Sequence, residues 1–251
     1  SKLDRAVWMA FAECMADALS LRESALRCGV ALSTAWFMRH RVCEVMRTRL
    51  ASFRTEGRCQ IDATHFTESF SGNHTKSGSV MPRKTHKNGQ SVHKRGISNE
   101  QVYVMTGINE LGDCFCELVD RGMETIEQVR GCLSGRIGTQ TQVISDMHRS
   151  YPKAIAALGA ASHVTVDPKD RSTGDINMVN SLHSRLQKFI RTFNGVATRR
   201  LQHYLDWFCY REQFKNPDAD KRETLFRHEA EGTYETTRRG YALTPHPFMD
   251  Y

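Results

Sequence analysis

The fold of this chain is decided by the stretch CQIDAT at residues 59–64, together with the later run QVISD at residues 142–146. Both runs are rich in apolar and β-branched residues and predict core strands. Each carries one aspartate, Asp62 within the first run and Asp146 at the end of the second. Carboxylates held on rigid strands are typical of sites that bind magnesium for phosphodiester chemistry. Asp62 and Asp146 are therefore the first candidates for catalytic and metal-ligating residues.

The sequence around these two runs predicts an α/β protein with a mixed sheet. Residues 101–108 and 113–119 alternate with period two, and the Asn-Glu-Leu-Gly between them predicts a hairpin. A short strand is also predicted at residues 163–166. Helical periodicity predicts the intervening and following helices at residues 124–134, 151–158, 176–193 and 198–211. A hairpin followed by alternating strands and helices favours a mixed sheet flanked by helices.

Residues 1–54 are predicted to form a small all-helical domain of the helix-turn-helix type. Ser20 and Glu23 have the spacing of a capping box, and Gly29 suits the tight turn that follows. We expect the next helix, at residues 35–49, to contact DNA through its basic residues, which are Arg39, His40, Arg41, Arg47 and Arg49. An ordinary α-hairpin with a solvated basic face would explain the same pattern.

The charge of the chain indicates a polyanionic partner. The formal net charge is +7, and residues 67–99 form a basic insertion in which Glu68 is the single acidic residue. A long loop of this composition can present its charge to a phosphate backbone, although a solvated loop would carry the same charge. The residues of the insertion that we expect to bind DNA are Arg83, Lys84, Lys87, Lys94 and Arg95.

The remaining composition argues against several classes of protein. The eight cysteines include no C-x-x-C pair, so zinc-ribbon spacing is absent and reduced thiols of a cytoplasmic protein are expected. No stretch reaches the roughly 18 apolar residues of a membrane span, so no membrane partner is expected. Residues 214–251 are polar and irregular and are predicted to form a loosely packed tail.

The helix predicted at residues 176–193 supplies the third candidate of the site. It has one apolar face, and Asn180 lies on the opposite side with His183 one helical turn later. Asn180 offers a neutral carbonyl oxygen, which binds magnesium more weakly than a carboxylate does. His183 could ligate a softer ion, act in proton transfer or contact phosphate. We expect Lys188 and Arg191 of the same helix to contact DNA.

Several blocks of the chain occur in the order and spacing of one known family. The blocks are IDATHF at 61–66, PRK at 82–84, KRGISNEQV at 94–102, SDMHRSY at 145–151, DINMVNSLHSRLQK at 175–188 and FNGVATRRLQHYLDWF at 193–208. In these blocks the chain resembles bacterial insertion-sequence transposases of the ISXO2-like group. The resemblance extends from residue 1 to about residue 213.

The resemblance implies an RNase-H-like fold for residues 58–213 and DNA transposition of the Asp–Asp–Glu type. It assigns the first, second and third metal ligands to Asp62, Asp146 and Asn180, and it implies two Mg²⁺ ions, for which Mn²⁺ is expected to substitute. The implied partner is double-stranded DNA, both the transposon ends and the target. A homodimer or higher oligomer on DNA and a bacterial, nucleoid-associated location in the cytoplasm are also expected.

The chain departs from the family pattern at two positions. Asn180 stands where the wider superfamily has Glu, and Gln187 stands where many members have Lys, with Lys188 next to it. The group often begins with a zinc ribbon, and its absence here is consistent with N-terminal truncation. The alternative interpretation is therefore a catalytically weakened or inactive DNA-binding protein derived from a transposase. An RNase-H-like nuclease that acts on RNA hybrids or structured DNA would share the same metal site.

Overall fold

Five strands build the central sheet of the protein. The computed structural model describes residues 3–50, 54–72, 97, 100–167, 169–170, 172, 174–213, 221–232 and 236–248. Within these residues the strands are β1 Thr55–Thr67, β2 Gln101–Asn109, β3 Cys114–Arg121, β4 Ile137–Ser145 and β5 Ser162–Thr165. All of the strands predicted from the sequence are present, with bounds that differ by a few residues.

The strand order of the sheet is β3-β2-β1-β4-β5. β1 runs antiparallel to β2, and β2 runs antiparallel to β3, so the predicted hairpin is confirmed. β4 lies parallel to β1 on its other side, and β5 lies parallel to β4. This arrangement confirms the predicted mixed sheet and the RNase-H-like fold. It also puts β1, the strand that carries Asp62, at the centre of the sheet.

Helices cover both faces of the sheet. The helices of the described residues are α1 Arg5–Ala16, α2 Leu21–Arg27, α3 Leu32–Leu50, α4 Ile126–Leu133, α5 Tyr151–Ala156, α6 Asn177–Arg191, α7 Thr198–Gln213, α8 Lys221–Glu231 and α9 Arg238–Ala242. One hydrophobic core joins α4 and α5 to a sheet face that includes Ile61 and Val143. A second core joins α1, α2, α3, α6 and α7 to the other face, through residues such as Val104. No described helix combines the length and the apolar character that crossing a bilayer requires.

The N-terminal helices form the predicted helix-turn-helix arrangement but share the second core with the sheet. The Ser20 side chain accepts from the Glu23 backbone N–H, and the Glu23 carboxylate accepts from the Ser20 N–H, which confirms the capping box. Gly29 follows α2 with a φ of 62°, a left-handed conformation that glycine adopts without a steric penalty. Met38 and Val42 of α3 are fully buried in the same core as Leu205 of α7.

Two basic residues of α3 that were predicted to face DNA lie inside the protein instead. Arg39 and His40 are each 1% exposed. The Arg39 guanidinium donates to the Leu19 carbonyl at 2.6 Å and lies 5.0 Å from the ring centroid of Trp207. The Nδ1 atoms of His40 and His203 are 2.7 Å apart. The prediction that Arg39 and His40 contact DNA is therefore wrong, because α7 covers the side of α3 on which they lie.

The other basic residues of α3 are also engaged within the protein. Arg47 bonds the Glu117 carboxylate of β3 at 2.7 Å, and Arg49 lies 3.0 Å from a carboxylate oxygen of Glu231. Arg41 is half-buried with its guanidinium over the Phe37 ring. A DNA contact by Arg41 stays a prediction, and α3 does not present the open basic face that the sequence suggested.

The prediction of a loosely packed C-terminal tail is wrong for the described part of residues 214–251. α8 and α9 form there, and Leu225 and Tyr241 are each 2% exposed. The Tyr241 hydroxyl donates to the Glu44 carboxylate of α3, which also accepts from the Thr236 hydroxyl at 2.9 Å. In the described part of this segment, buried side chains such as those of Leu225 and Tyr241 attach it to the N-terminal helices.

Candidate active site

The pairing of β1 with β4 brings the two predicted catalytic aspartates together. The strands are parallel, and Gln60 of β1 lies opposite Ile144 of β4. Two residues beyond this pair, the register leads to Asp62 on β1 and to Asp146, which immediately follows β4. Because side chains alternate along a strand, Asp62 shares the side of Gln60, opposite to that of Ile61, and the charge of Asp146 acts on the Asp62 carboxylate. The convergence expected from the sequence is supported by this register.

Hydrogen bonds from β1 fix the start of α6 beside this pair. The Gln60 amide nitrogen donates to the Asp175 carbonyl at 3.1 Å, and its amide oxygen accepts from the Val179 backbone N–H at 3.1 Å. Further along the helix, the Gln187 amide donates to the Thr64 hydroxyl at 3.2 Å. Asn180, which follows Val179, is exposed. The first turn of α6 therefore lies over β1, as the sequence predicted for the element that carries the third ligand.

Asp62 has an environment that disfavours its charge. Burial raises its pKa to about 7, and the neighbouring charges of Asp146 and Glu124 act in the same direction. The Ala63 backbone N–H donates to Asp62 Oδ1 at 2.8 Å, and the Tyr151 hydroxyl is 3.4 Å from the same atom. These two donors orient the carboxylate through Oδ1. A carboxylate with a raised pKa beside a second acid is a candidate for a functional site.

His183 is connected to Asp62 through a buried threonine. Thr106 lies opposite Asp62 in β2, and its hydroxyl donates to the Asp62 carbonyl at 2.8 Å. The same hydroxyl is 2.7 Å from His183 Nε2. Since the threonine proton is already donated, His183 Nε2 must carry the hydrogen of this second bond. Nδ1 then keeps its lone pair, 3.8 Å from Asp62 Oδ2.

The protonation state of His183 narrows the three roles considered for it. Burial lowers its pKa to about 4, and the neighbouring His65 acts in the same direction. The imidazole is therefore neutral at pH 7 and does not bring a positive charge to a phosphate. A neutral ring whose Nδ1 keeps its lone pair suits a metal ligand or a proton acceptor.

Glu124 adds a third carboxylate that the sequence did not single out. The residue is 9% exposed, and its carboxylate oxygens lie 3.6 Å from His148 Nδ1 and 4.0 Å from His65 Nε2. Both distances exceed those of a hydrogen bond. Burial raises the pKa of Tyr151, and the charges of Asp62 and Glu124 add to this effect. An acid just before a helix is common in sequences, so no signal distinguished Glu124.

The donors of the site suit a hard divalent cation. Asp62 and Asp146 offer carboxylate oxygens and Asn180 offers an amide oxygen, which are ligands that Mg²⁺ accepts. A cation would also offset the charge repulsion that contributes to the raised pKa of Asp62. Within the described ranges, no three His, Cys, Asp or Glu side chains are grouped closely enough to hold a metal ion. A magnesium site here would therefore need the Asn180 amide and water as further ligands.

The residues predicted to bind DNA fall into three groups. Lys188 and Arg191 are exposed near the end of α6, where they are available to a phosphate backbone. Arg39 and His40 are buried, as described above. The basic residues of the insertion lie outside the described residues, and their DNA contacts stay predictions; they are Arg83, Lys84, Lys87, Lys94 and Arg95.

Comparison with known proteins identifies a related family. A family model described as "ISXO2-like transposase domain" matches residues 68–213, which is more than half of the chain. The match contains Asp146 and Asn180, whereas Asp62 lies just before it, in β1. No curated protein matches the chain. Among solved structures, a pre-cleavage Mos1 transpososome is similar with a TM-score of 0.27 and 11% sequence identity, over 94% of this chain and 81% of that chain.

Proposed function

The chain belongs to the family of ISXO2-like transposase domains, and from this premise we propose that it cleaves DNA at transposon ends and transfers the resulting 3′-OH into target DNA. The observation that carries the proposal is the parallel register that leads to Asp62 and Asp146 beside the first turn of α6. Carboxylates in this arrangement suit phosphodiester chemistry, which depends on hard oxygen ligands and strict positioning.

We assign Asp62, Asp146 and Asn180 as the residues that would hold two Mg²⁺ ions, with Mn²⁺ as a substitute. When bound, such ions supply an activated nucleophile and stabilise the charge on the phosphate. Asp62 is held in place by the Ala63 N–H and the Tyr151 hydroxyl. His183 would act as a neutral group that accepts a proton or ligates a metal at Nδ1, because its Nε2–H is committed to Thr106.

DNA is the partner that this function requires. Lys188 and Arg191 extend from the acidic pair along the exposed side of α6, and we propose that they contact the phosphate backbone. The basic insertion would contribute further contacts through Arg83, Lys84, Lys87, Lys94 and Arg95. One acidic pair per chain would serve one transposon end, so joining two ends calls for a homodimer or a higher oligomer on DNA.

Substitution of the acidic pair tests the proposal. Asp62→Asn and Asp146→Asn should each lower Mg²⁺-dependent cleavage of end-containing DNA by at least about a thousandfold, because each removes several kcal/mol of transition-state stabilisation. Binding of the same DNA, measured by fluorescence anisotropy, should persist. Normal cleavage by either variant would show that the assignment of that aspartate is wrong.

The Asn180 position supports a second candidate, a DNA-binding protein that has lost catalysis. An amide is a weaker ligand of magnesium than the carboxylate that the superfamily has there. Binding of transposon ends by the unmodified protein without cleavage in Mg²⁺ or Mn²⁺ would favour this second candidate. Strand-transfer products in the same assay would exclude both the inactive protein and a nuclease that only hydrolyses its substrate.

A further inference from the structure

A large cavity lies at the end of α6 that is remote from the acidic pair. Its volume is about 730 Å³, within the range of cavities that take small organic ligands. It opens between α3, the α6–α7 connection and α9. The polar and aromatic residues that matter for its chemistry are Trp36, Ser71, Arg199, Arg200, Tyr204 and Arg239. No acidic side chain is present in its described lining.

Arg200 is the feature of this cavity that calls for a ligand. The residue is 7% exposed, so its guanidinium has lost most of its contact with water. Its Nη1 donates to the Thr244 hydroxyl at 2.7 Å, and the guanidinium lies 5.3 Å from the ring centroid of Trp36. Both partners are neutral, and no carboxylate of the described residues pairs with it. A buried charge without a counter-charge is costly, and a bound anion would remove that cost.

The described lining around Arg200 adds positive charge and includes no carboxylate. Arg199 also lines the cavity, and its Nε is buried without a hydrogen-bond partner. Burial and the charge of Arg199 lower the pKa of Arg200 to about 10, so Arg200 stays protonated at pH 7. His40 and His203 behind it are neutral, because burial lowers their pKa values to about 2 and about 4. The described wall of the cavity therefore carries cationic side chains and no acidic one.

We propose that this cavity binds one nucleotide unit of the DNA substrate, with the phosphate on Arg199 and Arg200 and the sugar and base in the space beside Trp36. Guanidinium groups bind phosphate oxygens through paired hydrogen bonds, and aromatic rings stack on bases. A phosphate alone would leave most of the 730 Å³ unfilled, so the adjoining nucleoside belongs to the ligand. The inference rests on the proposed function, since it names a further contact of the same DNA.

The length of α6 sets where along the DNA this contact falls. α6 has 15 residues, which corresponds to about 22 Å at about 1.5 Å per residue. Asn180 lies near its beginning, and Gly195 of the cavity lies just beyond its end. At about 3.4 Å per nucleotide of one strand, this separation equals about six nucleotides. With the DNA strand running along α6, the cavity would therefore hold a nucleotide about six positions from the phosphate that is cleaved.

Substitution of the cavity arginines tests the proposed contact. Arg200→Met keeps the aliphatic volume and removes the charge, and Arg199→Gln is a second variant at a less buried position. Each should weaken the binding of end-containing DNA about tenfold, the equivalent of one lost charge-assisted hydrogen bond. Arg130→Gln is the matched control, because Arg130 pairs with Glu127 on the surface of α4. This variant should bind DNA with unchanged affinity. Unchanged binding by both cavity variants would overturn the inference.

Thermal denaturation separates a nucleotide ligand from free phosphate. A short oligothymidylate should raise the melting temperature of the unmodified protein and leave that of Arg200→Met unchanged, because a ligand that binds only the folded state stabilises it. Inorganic phosphate at the same ionic strength should shift both proteins equally. Inorganic phosphate could instead raise the melting temperature of the unmodified protein at least as much as oligothymidylate does, and leave that of Arg200→Met unchanged. That result would show that the site takes the free anion, and the nucleotide proposal would fail.

Two further measurements keep this inference separate from the proposed function. A methylphosphonate about six nucleotides from the cleavage position should weaken binding to the unmodified protein and not to Arg200→Met. All binding measurements can be repeated with Asp62→Asn, in which the cavity is intact. If Asp62→Asn cleaves normally while Arg200→Met loses affinity for DNA, the catalytic assignment of Asp62 is wrong and the proposed nucleotide contact is retained. If Asp62→Asn is inactive and Arg200→Met binds DNA normally, only the cavity proposal fails.

Discussion

α3 and α6 both carry basic residues, but Arg39 of α3 is buried whereas Lys188 and Arg191 of α6 are exposed. Both were predicted from the sequence to contact DNA. The buried residues of α3 lie on several sides of the helix and include Arg39 and His40, whereas those of α6 form one apolar stripe. Lys188 and Arg191 are consequently exposed. The difference teaches that the arrangement of apolar residues around a helix predicts exposure better than the presence of charge does.

The burial of Arg39 depends on residues far away in the chain. Its guanidinium lies 5.0 Å from the ring centroid of Trp207 in α7 and 5.4 Å from that of Phe193, which follows α6. Aromatic faces and the Leu19 carbonyl replace water around the charge. None of these partners is a neighbour of Arg39 in sequence. The sequence of α3 alone therefore predicts a basic helix and does not indicate that other segments pack over it.

In the comparison of α3 with α6, the largest expected effect comes from removing Arg39. Arg39→Ala should lower the free energy of unfolding by about 3 kcal/mol, because it empties a packed site between Trp207 and Phe193. Urea denaturation measures the change. Arg39→Met is the matched variant, and it should be less destabilised because it keeps most of the volume. If Arg39→Ala instead folds normally and loses affinity for DNA, α3 contacts DNA after all and the contrast with α6 disappears.

Asn180→Ala changes an exposed residue of α6 and should lower the cleavage rate without changing the free energy of unfolding. Loss of the amide oxygen should reduce cleavage about a hundredfold, or about 2.7 kcal/mol of transition-state stabilisation. The free energy of unfolding should stay within about 0.5 kcal/mol, because the residue is exposed. A single-turnover cleavage assay measures the rate. If Asn180→Ala cleaves normally and Asn180→Glu is faster, the amide is a remnant of a lost carboxylate.

The sequence predicted the sheet because its strands follow from local patterns, such as the period-two alternation of β2 and β3. The convergence of Asp62 with Asp146 also required the RNase-H-like topology that the resemblance implied, because β1 and β4 are far apart in the chain. The C-terminal helices were missed because their stability comes from contacts such as that of Tyr241 with Glu44, which join distant segments. Glu124 was missed for the same reason, since its role appears only when β3 and α4 bring it near Asp62. Thr106 offered a signal that went unused, a polar residue within an apolar strand.

Thr106→Val is expected to have an intermediate effect. The substitution keeps the shape of the side chain and removes the hydroxyl that links Asp62 to His183. The free energy of unfolding should fall by about 1–2 kcal/mol, because the Nε2–H of His183 loses its acceptor. Cleavage should slow about tenfold, as is usual when a group that positions an active-site residue is lost.

The control for Thr106→Val is Thr48→Val, since the Thr48 hydroxyl donates to the Glu44 carbonyl within α3, on the surface. Thr48→Val should change neither cleavage nor stability measurably. A slower rate in Thr106→Val that comes only from partial unfolding would recover fully at a temperature where the variant is folded. Such recovery would show that the hydroxyl supports the fold and does not position His183.

The smallest expected effect belongs to the exposed end of α6. Lys188→Gln should weaken DNA binding about threefold, and the slope of log affinity against log salt should become shallower by about 0.9, the value for one lost phosphate contact. Lys153→Gln is the matched control, because Lys153 is also exposed and lies on α5, which packs on the opposite face of the sheet. Equal losses for both lysines would mean that binding follows net charge alone. A loss confined to Lys188 would place the DNA along α6, between the acidic pair and the arginine cavity.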